Sequence, residues 1–221
     1  VASAMPRYLA TMPVEDQPEE VLAFARDGFA TVVILPLRSP ETVELAIRQI
    51  GDLLASEVPV LLFLDRIASL DVRVKGVEHL KPRMLLTRQV VDLPAGDVER
   101  APTRFVVVTL GPERQRWLMV RRTVPKEEVI DAVRRSISLE PGLKRWLDWR
   151  GEAVVSVAVP VEGPGLPKGR LFNFLPMGAD AHSPFFGHLD APFFTFINRE
   201  HARLELPLNT YFLNAAAEVC A

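Results

Sequence analysis

Phe105 to Val124 reads FVVVTLGPERQRWLMVRRTV, and its reading decides the fold class. Phe105 to Leu110 is rich in β-branched residues, the composition of a strand. Gly111-Pro112-Glu113-Arg114 has the composition of a turn. Gln115 to Val124 is a second strand, so the stretch predicts an antiparallel hairpin. Pro125-Lys126-Glu127-Glu128 then opens a helix with Val129, Ala132, Val133, Ser136 and Ile137 along one face.

Downstream, Leu143 to Trp149 is a short amphipathic piece ending at Gly151. Ala153 to Val161 alternates with period two, as a strand does. Gly163-Pro164-Gly165 is a turn, and strands follow at Gly169–Pro176 and Pro192–Ile197. Asn209 to Cys220 reads as a closing helix with Asn209 as its cap. Upstream, Asp16-Gln17-Pro18-Glu19-Glu20 starts a helix that Gly28 stops. Thr31–Leu35 and Val58–Leu64 are continuous apolar runs typical of buried strands, with a helix from Ser39-Pro40-Glu41 between them. Residues 29–64 therefore read strand–helix–strand. Leu70–Val74 alternates as a half-buried antiparallel strand, and residues 75–103 read as short strands and loops, a candidate β-meander. The expected fold is α+β: a strand–helix–strand part, then a mainly antiparallel sheet with packed helices. The expected division lies between residues 1–75 and 76–221.

The 221 residues are 48% hydrophobic and 24% charged, with a formal net charge of -2. These values suit a globular chain with a sizeable core and give no global field for nucleic acid or an anionic membrane. The basic pairs Arg121-Arg122 and Arg134-Arg135 sit in patterned elements and read as solvated faces. The single cysteine, Cys220, allows no internal disulfide and no structural zinc site, which suits a reducing, cytoplasmic setting. No apolar run approaches the ~18 residues of a membrane span. The start at Val1 and the stop at Ala221, inside a helical pattern, suggest a piece of a larger protein.

Most motifs of chemistry are missing. No Gly-rich phosphate loop lies between a strand and a helix, and no GxSxG elbow is present. His182, His188, Asp190 and His201 lie close in sequence without HxxxH or HExxH spacing, so they read as loop and surface residues before they read as metal ligands. Eight of the twelve phenylalanines follow residue 170. Phe172, Phe174, Phe194 and Phe196 fit inward faces of adjacent strands. Phe185-Phe186, between Pro184 and Gly187, sits in an expected loop, where it could pack on a partner. Ile197-Asn198-Arg199-Glu200 ends an apolar strand in a charged tip. A strand-end salt bridge is the plain reading of Arg199. A phosphate contact is the functional one, because a guanidinium is always charged and forks onto oxygens.

The run Gly169-Arg-Leu-Phe-Asn-Phe-Leu-Pro-Met177, followed by Ala191-Pro-Phe-Phe-Thr-Phe-Ile-Asn-Arg-Glu200, resembles the sacsin-like branch of the GHKL ATPases. Asp27-Gly-Phe-Ala-Thr-Val-Val-Ile-Leu-Pro-Leu-Arg38 is similar to the last strand of the ATP-binding fold. Val60-Leu-Leu-Phe-Leu-Asp-Arg-Ile67 is similar to the link into the middle domain. The resemblance implies that residues 1–75 end an ATP-binding fold and its linker, and that residues 76–221 form a transducer-like middle domain of the heat-shock-chaperone type. It implies Arg199 as the residue lent to the γ-phosphate of ATP on the adjacent domain, with Asn198 orienting the loop. The family's metal-anchoring Asn, its Asp-x-Gly and its Gly-rich lid are not found upstream of Asp27. No cofactor is therefore expected on this chain, and ATP and magnesium are expected only in the full-length protein. Its partners would be the adjacent ATP-binding domain and an unidentified client, with neither nucleic acid nor membrane. The rival readings are an interaction module docking through Phe185-Phe186, and a hydrolase with a loop-built metal site at His182, His188 and Asp190.

Overall fold

The computed structural model describes residues 19–28, 33, 36–55, 58–77, 80, 83–93, 103–111, 114–162, 166, 168–196 and 200–220. The chain divides into two compact units, residues 1–50 and 51–221. In the first, α1 (Glu19–Arg26) ends where Gly28 takes a φ of 88°, a left-handed conformation that costs a glycine little. α2 (Pro40–Ala55) begins after a reciprocal cap. Ser39 N–H donates to Thr42 Oγ1 at 3.0 Å, and Thr42 N–H returns a bond to Ser39 Oγ at 3.4 Å. The strand expected at Thr31–Leu35 lies outside the described residues except for Val33, which is exposed and unpaired in any strand.

The second unit is built on an open, mostly antiparallel sheet, eight-stranded among the described residues, in the order β1-β2-β3-β4-β5-β8-β6-β7. The first five strands form a meander: β1 (Ser69–Arg73), β2 (Arg83–Asp92), β3 (Thr103–Gly111), β4 (Gln115–Val124) and β5 (Ala153–Pro160). The expected hairpin is present, with Val106 opposite Met119 and Val108 opposite Trp117. β1 and β2, on either side of residue 75, pair along their length from Ser69–Thr87 to Arg73–Arg83. β8 (His188–Asp190) pairs antiparallel with β5, and β6 (Leu171–Asn173) runs parallel to β8. β7 (Leu175–Pro176) folds straight back on β6.

Strand alternation sends the two faces of this sheet to different cores. On one face, Val124, Val155, Val157, Leu171 and Leu189 meet α3 (Lys126–Ser136), the 3-10 helix Pro141–Asp148 and α4 (Pro207–Cys220). Buried Ser136 joins two of these helices. Its hydroxyl donates to Ala132 O at 2.8 Å and accepts Leu208 N–H at 2.9 Å, which satisfies a first-turn donor of α4. On the other face, Val106, Val108, Trp117, Met119, Ala158 and Phe172 meet Leu61, Leu62 and Phe63.

Five expectations need correction. Val58–Leu64 is not a strand but a chain of turns, with Leu62 N–H donating to Pro59 O at 3.0 Å and Leu64 N–H to Leu61 O at 3.2 Å. It is apolar because it plugs the sheet face, and a buried plug has the same composition as a buried strand. Gly169–Pro176 is two short strands broken by Phe174, at φ 63°. Pro192–Ile197 is irregular where described, with a single bridge between Thr195 and Ala202. Phe172 and Phe193 are the buried rings there, while Phe174 and Phe196 are 58% and 53% exposed. Finally, Asn209 does not cap α4 from outside. It lies within the first turn, fully buried.

Candidate functional site

On the plugged face of the sheet, where β4, β5 and β8 meet the turns after Phe63, lies a cavity of about 420 Å³. Its size falls in the range of small-molecule sites. Phe63, Trp149 and Phe174 give it aromatic walls, and Ile67, Val154 and Pro192 aliphatic ones. Its polar groups are Asp65, Arg66, Arg121, Glu152 and Asp190.

The turns and the sheet are clamped together at this site by one carboxylate. Asp65 accepts from Arg88 on β2 at 2.8 Å and also from Arg121 on β4. Arg88 is buried and sends its Nε to Leu62 O at 3.3 Å. Burial pulls the Arg88 guanidinium below its usual range, with the Asp65 charge opposing that pull. Asp65 is thus shared between the two guanidinium charges.

Asp190 is different. Its Oδ1 accepts the Phe174 backbone N–H at 2.8 Å, and among the described residues its second oxygen has no hydrogen-bond partner. Burial in the apolar wall raises its carboxyl to about 7; the Asp65 charge pushes the same way, while the Phe174 amide and Arg121 oppose the rise. The amide reaches Asp190 because Phe174 occupies the left-handed region, an uncommon position for an aromatic residue that costs roughly 1–2 kcal/mol. A strained residue bonded to a carboxylate with a displaced pKa, at the wall of a cavity, is a combination that concentrates at functional sites.

Two positions earlier on β8, His188 lies between Trp117 and Phe172, each ring centroid 5.2 Å away. Its Nδ1 accepts Arg170 N–H at 3.0 Å, which places the ring proton on Nε2. Burial, aided by the Arg170 charge, lowers the imidazole to about 4. His182 and His201 are exposed, and His188 is enclosed by rings, so the residues of the metal reading do not converge. Among the described residues no group of three histidine, cysteine or acidic side chains is placed to hold a metal ion.

Asn198 and Arg199 lie outside the described residues. Their flanks are described: Phe196 N–H donates to His201 O at 3.4 Å, and Gly178 N–H to Glu200 O at 3.1 Å. Phe185 packs against the helical core, while Phe186 is 84% exposed. No helix among the described residues is long and apolar enough to cross a membrane. The Asp190 cavity was not foreseen from the sequence. The available signal was weak: an acid two residues after a histidine in the short segment His188-Leu189-Asp190 that follows Gly187. Comparison with known proteins finds no matching family model, no matching curated protein and no matching solved structure.

Proposed function

We propose that this chain is the middle, transducer-like portion of a sacsin-like, chaperone-like ATPase of the GHKL group. In this reading residues 1–75 close an ATP-binding fold and link it to residues 76–221. Arg199 reaches the γ-phosphate of ATP held on the adjacent domain, and Asn198 orients the loop. ATP and magnesium belong to that domain, and the chain has no catalysis of its own.

One observation carries the reading beyond the sequence resemblance: the two halves of the motif are laced together. Ala191 N–H donates to Phe172 O at 3.3 Å, Asn173 Nδ2 to Phe193 O at 2.9 Å, and Gly178 N–H to Glu200 O at 3.1 Å. A backbone anchor one residue from a phosphate-contacting arginine lowers the entropy lost on engagement. A guanidinium that arrives on closure stabilises charge developing in the transition state, and its departure after hydrolysis lets the domains reopen.

The test is ATP turnover by the natural full-length polypeptide. Arg199→Ala should lower turnover by about 10³-fold while leaving nucleotide affinity little changed. Unchanged turnover in that variant, or no turnover before mutation, would overturn the reading. A second reading has its own observation, the 84% exposure of Phe186. An interaction module using this loop would lose partner binding on Phe186→Ser and be indifferent to Arg199→Ala.

A further inference from the structure

We propose that the cavity beside Asp190 binds a small organic cation, an arylalkylammonium whose charged head meets Asp190 and whose apolar body lies against Phe63, Trp149 and Phe174. The inference does not depend on Arg199 or on nucleotide, so either can fail without the other.

The polar inventory of the cavity selects the ligand. Asp65 and Arg121 bond each other, and Arg88 completes that cluster from behind. Asp190 accepts one backbone bond, and among the described residues nothing meets its other oxygen. Asp190 is partly exposed, so its free oxygen opens onto the cavity and can take a donor from a ligand in place of water. An ammonium head supplies both the donor and the opposite charge. The Trp149 indole N–H is already spent on Gly151 O at 3.1 Å, which leaves its ring as the surface offered to a ligand. Aromatic faces carry negative potential and attract cations. An anion would meet Arg66 at the exposed rim and Arg121, whose charge Asp65 offsets, but would lie beside the carboxylates of Glu152 and Asp190.

Proton linkage gives the site a signature. With its carboxyl raised to about 7, Asp190 ionises within the working range, whereas an alkylammonium stays charged. The other groups facing it are Asp65, Arg66, Arg121 and Glu152. His188, on the same strand, is lowered to about 4 and is already neutral there.

The experiment is calorimetric titration of the 221-residue chain with 2-phenylethylammonium, 2-phenylethanol and 3-phenylpropionate. The ammonium should bind in preference to the other two, and its affinity should rise about tenfold from about pH 6 to about pH 8 as Asp190 ionises. Asp190→Asn should remove the pH dependence and weaken binding by about tenfold or more. Where that variant fails to fold, the pH series on the unaltered chain decides, supported by Val154→Phe, which should block the cavity. Preference for the carboxylate or alcohol, binding that ignores both pH and Asp190→Asn, or no binding by the ammonium would each overturn the proposal.

Discussion

Phe174 and Asp190 hold each other in place: the Phe174 N–H, from a backbone at φ 63°, meets Asp190 Oδ1 at 2.8 Å. The bond uses the main chain, so it survives replacement of the side chain. Phe174→Gly should keep it and raise stability by about 1 kcal/mol, because glycine enters the left-handed region freely and the lost ring is mostly exposed. Phe174→Val should lower stability by about as much, since a β-branched residue tolerates that region poorly. Urea denaturation of both variants checks the opposite signs.

His188 and Asp190 oppose each other in their response to pH. Asp190 is raised in the fold to about 7, so as pH rises above the ordinary aspartate range the unfolded chain loses its proton first. Stability therefore falls between about pH 4 and about pH 7 on this account. His188 is lowered to about 4, so the unfolded chain gains a proton first as pH falls below about 6.5, and stability rises with pH between about 4 and 6.5. The two slopes offset one another over most of this window. Asp190→Asn should expose the histidine slope, giving a protein that weakens towards acid. His188→Phe should expose the aspartate slope, giving one that weakens towards neutrality. Melting temperatures across the pH range of each variant, against the flatter parent, test the pair.

Asn209 ties α4 to the chain that follows β8. Its Oδ1 accepts Phe194 N–H, and its Nδ2 donates to Phe194 O and Arg203 O, all at 2.8 Å. Asn209→Ala strands the Phe194 N–H in a buried setting, while Phe194 O and Arg203 O keep the N–H groups of Arg203 and Leu206, and should cost about 2 kcal/mol. Asn209→Asp keeps the shape but presents oxygen to two carbonyl groups, and should cost at least as much. The shift in denaturation midpoint measures both.

Gly169 admits no side chain. A Cβ there would lie 1.6 Å from Gly187 O, and one on Gly187 would lie 2.6 Å from Ala158 O. The obstacles are backbone atoms of paired strands, so they cannot swing aside. Gly169→Ala should cost more than ~3 kcal/mol and separate β6 from β8. Loss of the cooperative melt by circular dichroism is the expected outcome, and a native-like melt would show that the strands can yield.

The parts of the fold that could be read from the sequence share one property: a single clean period. β3, β4 and β5 alternate, α3 carries an apolar stripe at helical spacing, and Ser39-Pro40 announces α2. What could not be read had no period of its own. Val60 to Phe63 is apolar because a sheet face lies over it, and no local pattern separates that from pairing. β8 is three residues long, too short to show alternation. The inward set of phenylalanines was misassigned because one left-handed residue, Phe174, resets the alternation after Phe172. Asp190 was visible only as a candidate metal ligand. Its burial depends on β5 and β6 closing on either side of it, a relation between residues far apart in the chain.

The order of the strands also sets an order in time. Each pairing from β1 to β5 joins consecutive segments, whereas β8 reaches β5 only after the chain has run through β6 and β7. Closing longer loops before their contacts form slows that step, so β8, β6 and β7 should be the last strands to condense. Pulse-labelled amide exchange should find Leu171 to Asn173 and Leu189 protected later than Val106 and Met119. Asp190 lies on β8 and Phe174 between β6 and β7, so the cavity should form only as these last strands condense. A molecule that fills it would act as a seal on the finished fold, distinguishing completed protein from every species that precedes it.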